Sequence, residues 1–304
     1  MRRRFTRQHF IFFLSLVVIA GIFGYEYFLH RPLVNLPQAN LETAAVDIGL
    51  KTEILPAINE PVFESVPMAD IYLENDGRGI ALTENKIARF YPFQILVWHN
   101  IVNDVWGRVP ILVSYNPLCD NATIFERLTP DDVLLFENSG QIFNNIFLLT
   151  DKTSGSLWQP FLGQAISGTK TGQSLNRLAS TVMTWSTFKK NFSNGEVLSR
   201  ETGFTRDYSF NPYNDYLASS DILFPLTKYD SSLPAKTKVF AYDKAVYPED
   251  NIKSAGSIDF EQKIRFVWDN DWQTARGYQI LADGLIGDEV ALTSGFWFCW
   301  AVNN

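Results

Sequence analysis

Residues 109–127 read Val-Pro-Ile-Leu-Val-Ser-Tyr-Asn-Pro-Leu-Cys-Asp-Asn-Ala-Thr-Ile-Phe-Glu-Arg. Two runs rich in β-branched and aromatic residues, Val109 to Tyr115 and Ala122 to Arg127, flank a turn-like centre that holds Pro117, Cys119, Asp120 and Asn121, a pattern that signals antiparallel strands. The pattern spreads outward from there. Ile87 to Tyr91, Val133 to Glu137, Asn145 to Thr150, Lys238 to Tyr242 and Lys263 to Trp268 are further short apolar runs between Gly, Asn and Asp turns. Helical periodicity is scarce beyond Met68; Thr184 to Phe192 shows it best, with Trp185, Phe188 and Phe192 on one face. The class is mainly β, or α+β with few short helices, built of antiparallel sheets or a barrel-like arrangement.

A faint repeat runs through these strands. Ile80 to Pro92 (IALTENKIARFYP) can be laid on Phe240 to Pro248 (FAYDKAVYP), and Ile111 to Asn116 (ILVSYN) on Arg265 to Asn270 (RFVWDN), in the same order. A duplicated β unit, about 68–200 and 230–304, and chance similarity between aromatic strands are the two readings.

The chain begins with a different kind of sequence. Arg2, Arg3, Arg4 and Arg7 form a basic flank over residues 1–9, and residues 10–29 are apolar or aromatic apart from Ser15, small spacers and Glu26. Twenty helical residues at ~1.5 Å each span ~30 Å, the thickness of a bilayer's hydrocarbon core. The arginines predict a cytoplasmic N-terminus and a domain that is periplasmic or extracellular. A cleaved signal peptide is the competing reading, but no A-x-A site follows the apolar run and no lipobox cysteine exists, which favours an uncleaved signal anchor. Residues 30–67 carry five prolines and one short stretch of helical character near Val46 to Leu55, and read as a stalk. The extracytoplasmic domain then covers 68–304.

Composition limits what that domain does. The hydrophobic share of 46% excludes general disorder. The net charge of -7 includes four N-terminal arginines, so the remainder is more acidic still and disfavours nucleic acid as a partner. Two cysteines, Cys119 and Cys299, allow one disulfide in an oxidising compartment, too few for a disulfide scaffold.

His99 is the only histidine of the folded domain. It is a candidate metal ligand with Cys119 and Asp104, in a soft site suited to copper or zinc, and a candidate base for Ser139 or Cys119; the bland alternative is a buried histidine bonded to a carbonyl. Cys119 lies beside Asp120, whose charge opposes a reactive thiolate. Asp151, Thr153 and Trp158 belong to a polar loop that reads as structural first and as a pocket wall second. Gly163 to Gly172 fails as a phosphate-binding loop, because Lys170 comes one position too late; it reads as a glycine-rich hairpin turn. No pair of carboxylates stands out for glycoside hydrolysis. Asn121 and Asn191 begin glycosylation sequons.

Several motifs in order carry a family resemblance from about Ala69 onward. Arg89-Phe90-Tyr91-Pro92 with His99-Asn100-Ile101-Val102-Asn103-Asp104, Val113 to Cys119, Ser139-Gly140 with Asn144-Asn145, Asp151 through Gln159, Thr184-Trp185, Tyr208, Pro212-Tyr213, Tyr216 and Phe296-Trp297-Phe298 resemble the domain of unknown function 3179 family. The resemblance implies membership without an established activity. It also marks a departure: where the family's pattern has a first cysteine of C-x-x-C, this chain has Asn116, so Cys119 cannot by itself complete a dithiol cycle. The expected function is a membrane-anchored ligand-binding or structural envelope module whose ligand is a small molecule or a protein. Its candidate site is His99, Asn103, Asp104, Cys119, Ser139, Asp151, Thr153 and Trp158. A metal-binding or thiol-redox protein using His99 and Cys119 is the alternative.

Overall fold

The computed structural model describes residues 46–47, 54–84, 87–130 and 132–303. Strand Val109–Asn116 turns through Pro117 and Asp120 into strand Asn121–Glu126, and Ile101–Trp106 pairs on the other side. Asp120 sits at φ 46, a left-handed conformation that its short polar side chain tolerates. This three-stranded meander, the second sheet in chain order after the one built on the hairpin of residues 78–92, is one of several small antiparallel sheets set in a ring, a five-bladed propeller-like arrangement. With 43% strand against 14% helix among the described residues, the fold is mainly β.

The other sheets follow the same logic. Arg78–Glu84 and Ile87–Pro92 form a hairpin flanked by Thr181–Thr184 on one side and by Glu196–Leu198, then Phe63–Ser65, on the other. Here Glu196–Leu198 runs parallel to Ile87–Pro92. Phe136–Phe143, Ile146–Asp151, Leu157–Gln159 and Gln164–Ser167 make the next sheet. A fourth holds Lys238–Tyr242 between Ala245–Pro248 and the late strand Thr293–Phe296, and a fifth runs Ser257–Phe260, Ile264–Asp269, Thr274–Ile280, Ile286–Val290. The periodic stretch expected as helix is helix Trp185–Asn191; Thr184 Oγ1 caps it by accepting from the Thr187 N–H, and Trp185 and Phe188 pack on Phe90 at 5.6 and 4.9 Å.

Local chemistry moves some boundaries. Asn144 and Asn145 adopt φ 49 and 65 between the paired Phe143 and Ile146, a two-residue primed turn, so Asn145 belongs to the turn and not to the strand. Val133 to Glu137, expected as one strand, divides into Asp132–Val133 and Phe136–Phe143, and Leu134 between them accepts a 2.8 Å bond from Arg127 through its carbonyl. Val46–Asp47, placed in a helical stretch by its sequence, is extended and pairs with Ile142 and Gln141.

The end of the expected stalk is also part of the domain. Leu55, Ala57 and Ile58 are buried, Ile58 trades backbone hydrogen bonds with Ile101 and Asn103 (3.0 and 2.8 Å), and Phe63–Ser65 is an edge strand. The prolines there break helices without preventing strand pairing at an edge. Residues 1–9 and 10–29 lie outside the described residues, as does the stalk before residue 46; among the described residues no helix is long and apolar enough to cross a membrane.

The two similar sequence stretches hold corresponding positions. Both hairpins end on a Tyr-Pro pair, Tyr91-Pro92 and Tyr247-Pro248, and each proline precedes a short helix, Phe93–Leu96 or Glu249–Ala255. Each helix leads into a meander whose second strand carries the other matched segment, Val109–Asn116 or Ile264–Asp269.

The seam between the second and fourth sheets is held covalently. Cys119 and Cys299 form a disulfide across 180 residues of sequence with Cα atoms 5.8 Å apart. Beside it the Phe296 N–H donates to the Cys119 carbonyl at 2.8 Å and Asn121 Nδ2 to the Ser294 carbonyl at 2.7 Å. A Cβ on Gly295 would stand 2.9 Å from the Cys119 oxygen, so only glycine permits this approach. Closing so long a loop restricts the unfolded chain by roughly 3–5 kcal/mol. The double variant Cys119→Ala/Cys299→Ala is therefore expected to lose about that much unfolding free energy in a denaturant titration. An unchanged midpoint and slope would show that the seam does not depend on the bond.

Candidate functional site

The imidazole of His99 is fully buried between two oxygen atoms. Nδ1 lies 2.8 Å from the Pro56 carbonyl, which can only accept, so Nδ1 carries the proton. Nε2 therefore accepts from the Tyr208 hydroxyl at 2.7 Å, and Tyr208 in turn accepts from Thr202 at 2.5 Å. Burial pushes His99 down to about 4, against the Pro56 contact and with help from Arg206. A neutral, doubly engaged histidine is the bland alternative raised above, and it has no nitrogen left for a metal.

The neighbouring polar residues link sheets. Asn103 accepts from the Phe136 N–H at 3.0 Å and donates to the Phe136 carbonyl and to Asn59 at 2.8 Å each, acting as a missing strand partner between the second and third sheets. Asp104 Oδ2 accepts from Arg89 and from the Tyr91 hydroxyl at 2.6 Å each, while Oδ1 accepts from the Val105 N–H. Arg89 also pairs with Glu196 at 2.6 Å and lies 3.9 Å over the Phe63 ring, so one guanidinium joins three strands of the first sheet to the second.

The remaining expected residues are equally committed. Ser139 donates to the Leu148 carbonyl and accepts from the Gln141 N–H, where the strand register shifts. Asp151 caps its own loop through Ser154 and takes a 2.8 Å bond from Trp158 Nε1; burial would raise its carboxyl, but these bonds hold it below the usual range. Thr153 is exposed on that loop, and Trp158 packs edge-on against Phe136 at 5.6 Å. Cys119 Sγ is bonded to Cys299. The expected copper or zinc site of His99 with Cys119 is thus corrected: its nitrogen and sulfur already have partners, and among the described residues no three metal-ligating side chains converge. The thiol-redox reading loses its free thiol in the same way. Asn121, first of the two sequon asparagines, is buried with its amide bonded to Ser294, which leaves no room for a glycan.

Concave surface lies elsewhere. A cavity of about 560 Å³ opens where Phe161, Leu162 and Arg177 face Ala241–Asp243, Glu289–Ala291, Thr293 and Trp300. Arg177 is placed by backbone pairing: the segment before it bridges Gln164 to Ser174, Glu126 N–H donates to Asn176 and Leu178 N–H to Ile124 at 2.9 Å each. Its guanidinium lies 4.9 Å over Phe125 and Nη2 donates to the Phe161 carbonyl at 2.7 Å. Gly163, at φ 72, makes this platform possible, since a Cβ there would come 2.4 Å from the Phe125 ring. A second cavity of about 680 Å³ is lined by Arg200, Phe204, Arg206 and Tyr208, and Tyr208 is the only member of the His99 hydroxyl chain on its wall. None of the eight expected residues lines either cavity. Arg177 gave no signal in the sequence, as a single arginine in a polar loop looks solvated until its surroundings are known.

The family model for a protein of unknown function (DUF3179) matches residues 52–302. The chain belongs to the DUF3179 family. No curated protein and no solved structure matches it. The match starts at residue 52, which agrees with the packing of Leu55 and Ile58 into this DUF3179 domain. The segments that carry the resemblance supply its polar skeleton: His99, Asn103, Asp104 and Asn145 bond backbone or side chains across the fold, and Asp151 closes its own loop.

The His99 environment makes the DUF3179 domain acid-sensitive. The unfolded chain takes up a proton near the ordinary 6.5 while the folded chain resists until about 4, so stability is complete above the first value and falls as pH drops towards the second. The loss is expected to reach about 3 kcal/mol. Denaturation curves of the wild type and His99→Gln between those limits check it, with the variant losing this component; parallel curves would place the sensitivity elsewhere.

Proposed function

We propose that this chain is a membrane-tethered, extracytoplasmic module that binds a small molecule in the cavity beside Arg177. The make-up of that cavity carries the reading: a volume of about 560 Å³ in which Phe161, Leu162, Val290 and Trp300 stand beside a larger polar share supplied by Asn176, Arg177, Asp243, Glu289 and Thr293. Specific ligand sites have this size, and they use placed polar groups to orient what the apolar wall holds. The segments that form it are remote in sequence and meet at the disulfide-held seam, so the cavity is shaped before any ligand arrives. Binding is favoured over catalysis because the domain's single imidazole is held between Pro56 and Tyr208 and supplies no base to the cavity.

The tether reading rests on the arginines at 2, 3, 4 and 7 followed by the apolar residues 10–29. In a bacterial host, protease added to spheroplasts is expected to digest the folded domain and spare an N-terminal tag. A domain protected until the cells are lysed overturns the orientation.

The binding reading predicts that compounds raising the melting temperature of the full chain lose their effect in Ala291→Trp, which fills the cavity from its wall. A set of stabilising compounds indifferent to that substitution places the site elsewhere.

A further inference from the structure

Arg177 differs from the other buried or half-buried arginines in what faces it. Arg78 has Asp120 at 2.9 Å, Arg89 has Asp104 and Glu196 at 2.6 Å each, and Arg276 has Glu289 at 2.6 Å. Arg127 has three carbonyl oxygens. The guanidinium of Arg177 has the Phe161 carbonyl and the face of Phe125, and its Nη1 is shielded from solvent with no acceptor among the described residues. Of the two acids on the cavity wall, Glu289 is held by Arg276 and Asp243 is exposed at a turn. Burial with no compensating carboxylate draws Arg177 down to about 10, still charged at neutral pH. A shielded cation without a counter-charge destabilises the empty fold, and an anion brought in by a ligand removes that cost.

We infer that the cavity selects a monocarboxylate with an aromatic or alkyl body, and that Arg177 is its anchor. This rests on the binding reading above. A carboxylate that enters the cavity is drawn to the Arg177 guanidinium on its wall, which has no carboxylate partner among the described residues and whose planar form suits charge-assisted pairing. The apolar body lies along Phe161, Leu162, Ala241, Val290 and Trp300. One guanidinium with one edge already engaged neutralises one negative charge, and Glu289 and Asp243 on the wall oppose a second, which disfavours a phosphate dianion. The net charge of -7 repels anions from the surface at large, so retention of a carboxylate requires a local site of this kind.

The test uses the full chain in nanodiscs and calorimetric titration with 3-phenylpropionate, its neutral counterpart 3-phenylpropanol, and inorganic phosphate. The acid is expected to bind about ten-fold to a hundred-fold more tightly than the alcohol, the range of one charge-assisted hydrogen bond, and phosphate not to bind. Arg177→Gln and Arg177→Met should reduce the acid to the affinity of the alcohol and leave the alcohol unchanged, and Ala291→Trp should abolish both. Equal affinity of acid and alcohol in the wild type overturns the anchor while the cavity reading stands. Binding that survives Ala291→Trp overturns the cavity reading itself, and binding of neither compound at about 10 mM overturns both, a limit near the weakest specific affinities. The ligand-free melting temperature gives an independent check: Arg177→Met should leave it level or raised, and a clear fall makes Arg177 a structural residue and sinks the anchor.

Discussion

Closure of the ring depends on one meeting point, the docking of strand Thr293–Phe296 onto the turn that carries Cys119. That strand pairs with Lys238–Ala241, more than fifty residues before it in the chain, and at the same time gives the Phe296 N–H to the Cys119 carbonyl. Gly295 allows the two backbones to touch, Asn121 bonds Ser294, and the Cys119–Cys299 disulfide fixes the helix Trp297–Asn303 that follows. Every residue of that helix is buried. The last segment of the chain is thus core, and the sheets on either side cannot separate without exposing it.

Within that frame the buried polar residues act as connectors between sheets. Small sheets in a ring have many edges and few shared backbone hydrogen bonds, so the unpaired N–H and C=O groups at each border need partners. Asn103 supplies them for Phe136, Asn138 for Leu55 and His99, Asn145 for Phe224, and Asn121 for Ser294. Asparagine suits this work because its amide donates and accepts in the same geometry as a peptide group. The Arg89 guanidinium does the same with charge, and Asp104 keeps it in place.

Much of the architecture was legible because it is local. The hairpin at Val109 and the helix that follows Thr184 both rest on residues that dictate their own backbone. The residues before 68 misled for the opposite reason: prolines suggested an isolated stalk, whereas Ile58 is fixed by Ile101 and Asn103, which lie far along the chain. The expected site failed similarly. His99, Asp104 and Cys119 are types that perform chemistry in other settings, and sequence spacing does not reveal that Pro56, Tyr208, Arg89 and Cys299 occupy them first. Arg177 was invisible because its defining property, the absence of a carboxylate partner among the described residues, is a property of its surroundings.

The seam and the cavity are one piece of construction. Phe161 and Arg177 stand on the Cys119 side, Ala241, Thr293 and Trp300 on the other, and the contacts that hold the two sides together also set the width of the space between them. Trp300 follows Cys299 directly, so the disulfide fixes the chain that delivers one wall. A molecule bound there touches both sides and stabilises the closed ring by the same linkage that the ring uses to hold it. The arginine proposed as anchor thus stands where covalent closure limits the cost of a cation that has no carboxylate partner among the described residues.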